Sequence, residues 1–167
     1  MTNRRPGVPR SDLKPGISLC FAKAHDQFEG ALALLDAGKP DPAANLYVLG
    51  VQEVGKAKLL REASDAGGAS VRIDAFTDHD VKVEKGATVL GSSAMWLRRG
   101  VFDPAIFDPR VFDVGTPADE PTRLDVLYVS YGSTGWLNAP SINAEHLREN
   151  VQSSLAILPA REAELLA

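Results

Sequence analysis

The sequence has a single cysteine, Cys20, only three histidines, and no long apolar run. One thiol excludes an intramolecular disulfide and any cysteine-built zinc site, a usage that a reducing cytoplasm permits. Within its helical surroundings Cys20 reads as a packing residue rather than a nucleophile. His25 and His146 are scattered and have no matched partners, so the sequence calls for no metal and no cofactor. No apolar stretch approaches the roughly 20 residues that span a bilayer. The basic start, MTNRRPGVPRSDLKPG, leads into no signal-peptide core, because Lys23, His25 and Asp26 interrupt the apolar run. These absences predict a cytoplasmic protein with no membrane partner. Charge of one sign is missing too: 18 basic against 22 acidic residues give a formal net charge of -4, so any contact with nucleic acid must come from a local patch. Neither a phosphate-binding glycine loop nor a serine-nucleophile motif occurs.

What remains is an ordinary globular composition, 44% hydrophobic and 24% charged. The length suits one domain that buries a real core without staples. Arg4, Arg5, Arg10 and Lys14 alternate with Pro6, Pro9 and Pro15 and show no apolar period, so residues 1–15 read as a flexible basic arm. A helical domain over 16–160 and a short tail over 161–167 complete the organisation.

From Ile17 the positions Phe21, Ala24, Phe28, Ala31 and Leu35 recur at spacings of three and four, the stripe of an amphipathic helix. Gly38, Pro40 and Pro42 end it. Asp41 is the expected cap of a second helix, with Pro42 at its first position, running to the glycines at 67 and 68. A third helix is expected from a Thr77 cap to about Leu97, with Gly86 and Gly91 as weak points. The segment VFDPAIFDPRVFDV repeats a Phe-Asp-Pro theme whose prolines forbid a long helix, so it reads as a long loop clamped to the core by Phe102, Phe107 and Phe112. A peptide-binding or dimer surface is the alternative. RLDVLYVSYGSTGW suits a short strand or another helical turn equally. The last helix starts near Ser141 or Asn143, carries Leu147, Val151, Leu155 and Leu158, and stops at Pro159. The expected fold is therefore all-α, an up-and-down bundle of four or five helices, since strand–helix alternation is absent.

At about 100° per residue, Leu46, Gly50, Glu53, Ala57 and Leu60 share one stripe of the second helix. Glu53 thus lies in the apolar arc and must find a cation, either Lys56 three residues on or Lys82 from the next helix. Such a pair fixes register or serves a site. Gly50 and Gly55 cost helix stability and so point to close helix approach nearby. His79 falls in the first turn of the third helix, where unpaired N–H groups attract anions and the helix dipole favours neutral imidazole. Beside Lys82 it could take a proton from a ribose hydroxyl while the lysine holds phosphate; an ordinary surface histidine fits the same spacing. Arg72 precedes His79 in Arg-Ile-Asp-Ala-Phe-Thr-Asp-His. Arg123, Tyr128, Tyr131 and Trp136 offer phosphate contact and stacking, or simply packing near a turn.

The run Ala43-Ala44-Asn45-Leu46-Tyr47-Val48 into Gln52-Glu53-Val54-Gly55-Lys56-Ala57, then Phe76-Thr77-Asp78-His79-Asp80-Val81-Lys82, then Leu127-Tyr128-Val129 with Trp136 and Pro140, resembles the AbiV-type abortive infection proteins of the wider HEPN group. The resemblance covers roughly residues 17 to 158. It implies a helical bundle, pairing into homodimers and a role in defence against phage, with a metal-independent ribonuclease site built from an arginine and a histidine a few residues apart. Arg72 and His79 come nearest to that pattern, and Gln52 stands where relatives often carry a second acidic residue. The resulting expectation is a homodimeric endoribonuclease. His79, Lys82, Glu53 and Arg72 would form its catalytic cluster, and Lys56, Arg123 and Tyr128 its RNA and phosphate contacts. The competing expectations are a noncatalytic helical module that binds a phage or host protein and a nucleotide or small-molecule binder with its pocket between helices.

Overall fold

The computed structural model describes residues 7–67, 70–71, 74–91, 112–113, 130–132, 135–137 and 141–167. Among the described residues four helices form the all-α bundle: α1 (Leu13–Asp36), α2 (Pro40–Asp65), α3 (His79–Leu90) and α4 (Ala144–Leu166). Strands of two or three residues accompany them as isolated antiparallel pairs: Val8–Pro9 with Ser70–Val71, Phe112–Asp113 with Ser141–Ile142, and Ser130–Gly132 with Gly135–Leu137. The last pair settles the ambiguous aromatic stretch as strand in that part.

Helix directions follow from which residues meet. Gly16 lies against Leu60 and Gly30 against Leu46, so α1 and α2 run oppositely. Gly55 meets Lys82 while Gly86 meets Val51, which sets α3 against α2. Lys14 reaches the Leu166 carbonyl while Arg148 pairs with Asp36, so α4 opposes α1. The order is up-and-down, as the short turn after α1 and the apolar periods predict.

The stripe of α1 is buried along its whole length, through Leu13, Ile17, Phe21, Ala24, Phe28, Ala31 and Leu35. It begins a turn earlier than the sequence reading, because Leu13 extends the same spacing, and Pro15 is tolerated in a first turn whose N–H groups have no helical partner. With Val8–Pro9 already paired, the expected arm does not extend to residue 15. The α2 helix is different. Its buried residues, among them Ala43, Tyr47, Val51, Val54, Gly55 and Ala57, surround most of the helix, because α1, α3 and α4 all pack on it. Its start corrects the expectation of an Asp41 cap: Lys39 precedes the first turn without a side-chain bond, and Pro40 opens the helix, where a missing N–H costs nothing. At its far end Gly67 takes a left-handed φ of 78°, the expected glycine stop.

Two further boundaries move. Asp78, not Thr77, caps α3, its carboxylate accepting from the Val81 N–H at 3.1 Å, and Thr77 belongs to a preceding 3-10 turn. The helix ends at Leu90, where Gly91 adopts φ 73°; the expected continuation to Leu97 lies outside the described residues. At the other terminus α4 passes through Pro159 and takes in the expected tail. Pro159 is exposed, so solvent can serve the carbonyl it leaves unbonded, while buried Leu158 and Leu165 keep the helix docked. Lys14 and Arg61 then donate to the carbonyls of Leu166 and Leu165, satisfying groups that a helix end leaves unpaired. Most of the Phe-Asp-Pro segment lies outside the described residues.

Candidate functional site

The polar residues named from the sequence are carried by the two seams on either side of α2. On the α3 side, the close approach of the backbones is built by glycine. A Cβ at Gly55 would fall on the Lys82 carbonyl, and one at Gly86 would fall on that of Val51. The two glycines are reciprocal, each admitting the other helix's backbone. Gly86, read as a weak point of α3, is therefore a packing position. Gly50 plays a similar role toward α1, where the Phe28 ring occupies the space a side chain would take.

Gln52 sits one residue from Val51, within this seam, and is 5% exposed. Its Oε1 lies 3.0 Å from Nδ1 of His79, at the first residue of α3. His79 is exposed. A buried carboxamide thus anchors a solvent-accessible acid–base group at a helix N-terminus. Lys82, one turn further along α3, was expected to hold phosphate beside His79. The residue is instead buried, at 4% exposure, and so is not a surface cation.

Glu53 faces the other way. Lys56 Nζ donates to its Oε1, and the two side chains are 18% and 28% exposed, Glu53 the more enclosed. Of the two cations weighed for Glu53, Lys56 is the one the ion pair uses, so this pair closes within α2. Its neighbour is Cys20 on α1. Burial chiefly, then Glu53, pushes the Cys20 thiol up against the opposing Lys56, to about 11 in all. A thiol held neutral in this way is a poor nucleophile, in keeping with a packing role.

The structure thus brings His79 together with Gln52, and Glu53 together with Lys56. Arg72, Arg123 and Tyr128 lie outside the described residues. Among the described residues no group of three or more histidine, cysteine or acidic side chains could hold a metal ion. No described helix is long and apolar enough to cross a membrane.

Gln52 is the residue that the sequence reading undervalued. It registered only as the absence of a second carboxylate. Its position was the signal: an amide between Val51 and Val54-Gly55, in the stretch whose glycines point to close helix approach, is a polar group that needs a specific partner once buried. Comparison of the chain with models of known protein families, with curated proteins and with solved structures finds no match.

Proposed function

We propose that the chain is a phage-defence protein of the abortive infection kind, a metal-independent endoribonuclease that works as a homodimer with His79 as its acid–base group. The observation that supports this reading most is the exposed imidazole of His79, tied at Nδ1 to buried Gln52 at the start of α3. An accessible ring with a fixed orientation is what proton transfer requires. In the reaction, the 2′-hydroxyl of RNA gives its proton to His79 and the freed oxygen attacks the adjacent phosphorus. The bond from phosphorus to the 5′ oxygen breaks, that oxygen takes a proton from water, and a cyclic phosphate remains. The α3 N-terminus favours the anionic phosphate near His79. Arg72 and Arg123 are the proposed phosphate contacts and Tyr128 a stacking surface, while the Glu53–Lys56 pair supports α2 beneath the site.

A second reading is favoured by buried Lys82 and by the closed Glu53–Lys56 pair, which leave those groups engaged inside the bundle: a noncatalytic module that binds a protein partner. His79→Ala separates the two. Under the nuclease reading, cleavage of RNA should fall by about a hundredfold or more. The melting temperature should stay within a few degrees, because the histidine is exposed and its removal opens no cavity in the core. Undiminished cleavage by the variant would remove His79 from the mechanism. Wild-type protein that cuts no RNA, as a dimer and in the presence of phage components, would leave the interaction module.

A further inference from the structure

We infer that Gln52 is a positioning residue that sets the tautomer of His79 and so decides which ring nitrogen exchanges protons with substrate; the inference rests on the reading of His79 as an acid–base group. A carboxamide oxygen only accepts hydrogen bonds, so the 3.0 Å contact with Gln52 Oε1 places the ring proton on Nδ1. In the neutral imidazole the lone pair then belongs to Nε2. An unrestrained histidine side chain favours the opposite arrangement, with the proton on Nε2, so Gln52 reverses the intrinsic preference.

Three features make the constraint firm. Gln52 is 5% exposed, so its Oε1 has little water to turn to. It follows Val51, whose carbonyl occupies the space beside Gly86, and it precedes Gly55, which admits the Lys82 carbonyl, so its stretch of α2 is held against α3 at the level of the backbone. His79 is the first residue of the same α3 helix, anchored by the Asp78 cap. When Nε2 takes up a proton, Nδ1–H still donates to Gln52, and the bond therefore survives both protonation states without a ring flip. A neutral amide fixes the direction of the ring as a carboxylate would, but adds no charge to it.

The test is long-range proton–nitrogen correlation NMR on nitrogen-15-labelled full-length protein at mildly alkaline pH, where the shifts of protonated and lone-pair ring nitrogens are well separated. Wild type should show His79 with its proton on Nδ1. Gln52→Glu keeps an acceptor at the same place and should preserve that pattern, whereas Gln52→Met, matched in length but with only a weak thioether acceptor, should move most of the population to Nε2–H. A wild-type spectrum with the proton on Nε2 would overturn the inference whether or not a variant folds, as would an unchanged tautomer in a folded Gln52→Met protein. RNA cleavage measured on the same samples keeps the two readings apart. If the wild type cuts RNA, Gln52→Met should lower kcat by about a hundredfold with KM little changed, and Gln52→Glu should restore it. If no sample cuts RNA while the NMR pattern holds, the ribonuclease reading fails and the positioning by Gln52 stands.

Discussion

Gln52 and Glu53 are consecutive on α2, yet they serve different seams by different means. Glu53 finds its cation three residues along its own helix, and toward α1 it acts through its charge on the Cys20 thiol. Gln52 turns toward α3 and is bonded to a residue 27 positions away. The α1–α2 seam is lined by apolar side chains, from the flexible end of Leu60 beside Gly16 to the buried Phe28 ring against Gly50. The α2–α3 seam is closed by main chain on main chain, at Gly55 and Gly86. Side-chain contacts tolerate small displacements and backbone contacts do not. The seam that holds His79 is accordingly closed by main-chain contacts at two points, which suits the acid–base role proposed for that residue.

The largest effect expected from this contrast comes from adding one methyl group to each seam. Gly55→Ala places a carbon on the Lys82 carbonyl and Gly86→Ala places one on the Val51 carbonyl, so the helices must separate. Each should lower unfolding free energy by about 3 kcal/mol or more, read from urea denaturation. Gly16→Ala meets only Leu60 Cδ1, at 3.1 Å, and a leucine end can rotate. Its gain in helix propensity, about 1 kcal/mol, should offset the crowding and leave stability within about 1 kcal/mol of wild type. Equal losses from Gly16→Ala and Gly55→Ala would erase the distinction between the seams.

An intermediate effect belongs to the ion pair. Lys56→Met removes the cation from a carboxylate that is 18% exposed. The loss should fall between that of a surface pair and that of a fully buried one, about 1–2 kcal/mol. Because the pair lies within one helix, His79 should be untouched, and its ring signals in the Lys56→Met spectrum should overlay those of wild type. Displaced His79 signals would show the two sides of α2 to be one coupled network.

How much of this was legible in the sequence depends on whether a feature is periodic or relational. The buried stripe from Phe21 to Leu35 is stated outright by spacings of three and four, and so are Leu147, Val151 and Leu158. Gly50 and Gly55 announced close packing because a helix interior has no other use for them. What spacing could not supply was the partner across a seam. Gly86 looked like a helix weakness because its value appears only against Val51, and Lys82 looked like an accessible phosphate ligand because helical phase says which face a residue shares but not which face the next helix covers. Asp78 and Thr77 are adjacent hydroxyl and carboxylate caps, and the 3-10 turn at Asp74–Thr77 decides between them. Pro159 misled for a related reason: its cost is local, and the docking of Leu165 outweighs it.

The smallest effect expected is confined to alkaline pH and sharpens the account of the α1–α2 side alone. Burial chiefly, then Glu53, raises the Cys20 thiol from 9.0 in a free chain to about 11, while Lys56 works against them. A thiol whose folded-state pKa lies above its unfolded value binds its proton more firmly in the folded state. Its contribution to stability is therefore complete below pH 9.0 and fades as pH rises toward about 11. Cys20→Ala should flatten that part of the stability profile and leave the neutral range shifted by a constant amount. The two neighbours should move the thiol in opposite directions, which solvent burial by itself would not do: Glu53→Gln should start labelling by a maleimide at lower pH, and Lys56→Met should delay it. Shifts of the same sign in both variants would mean that Cys20 responds only to how tightly α1 and α2 pack. The pair would then be a support for the seam rather than a charge acting across it.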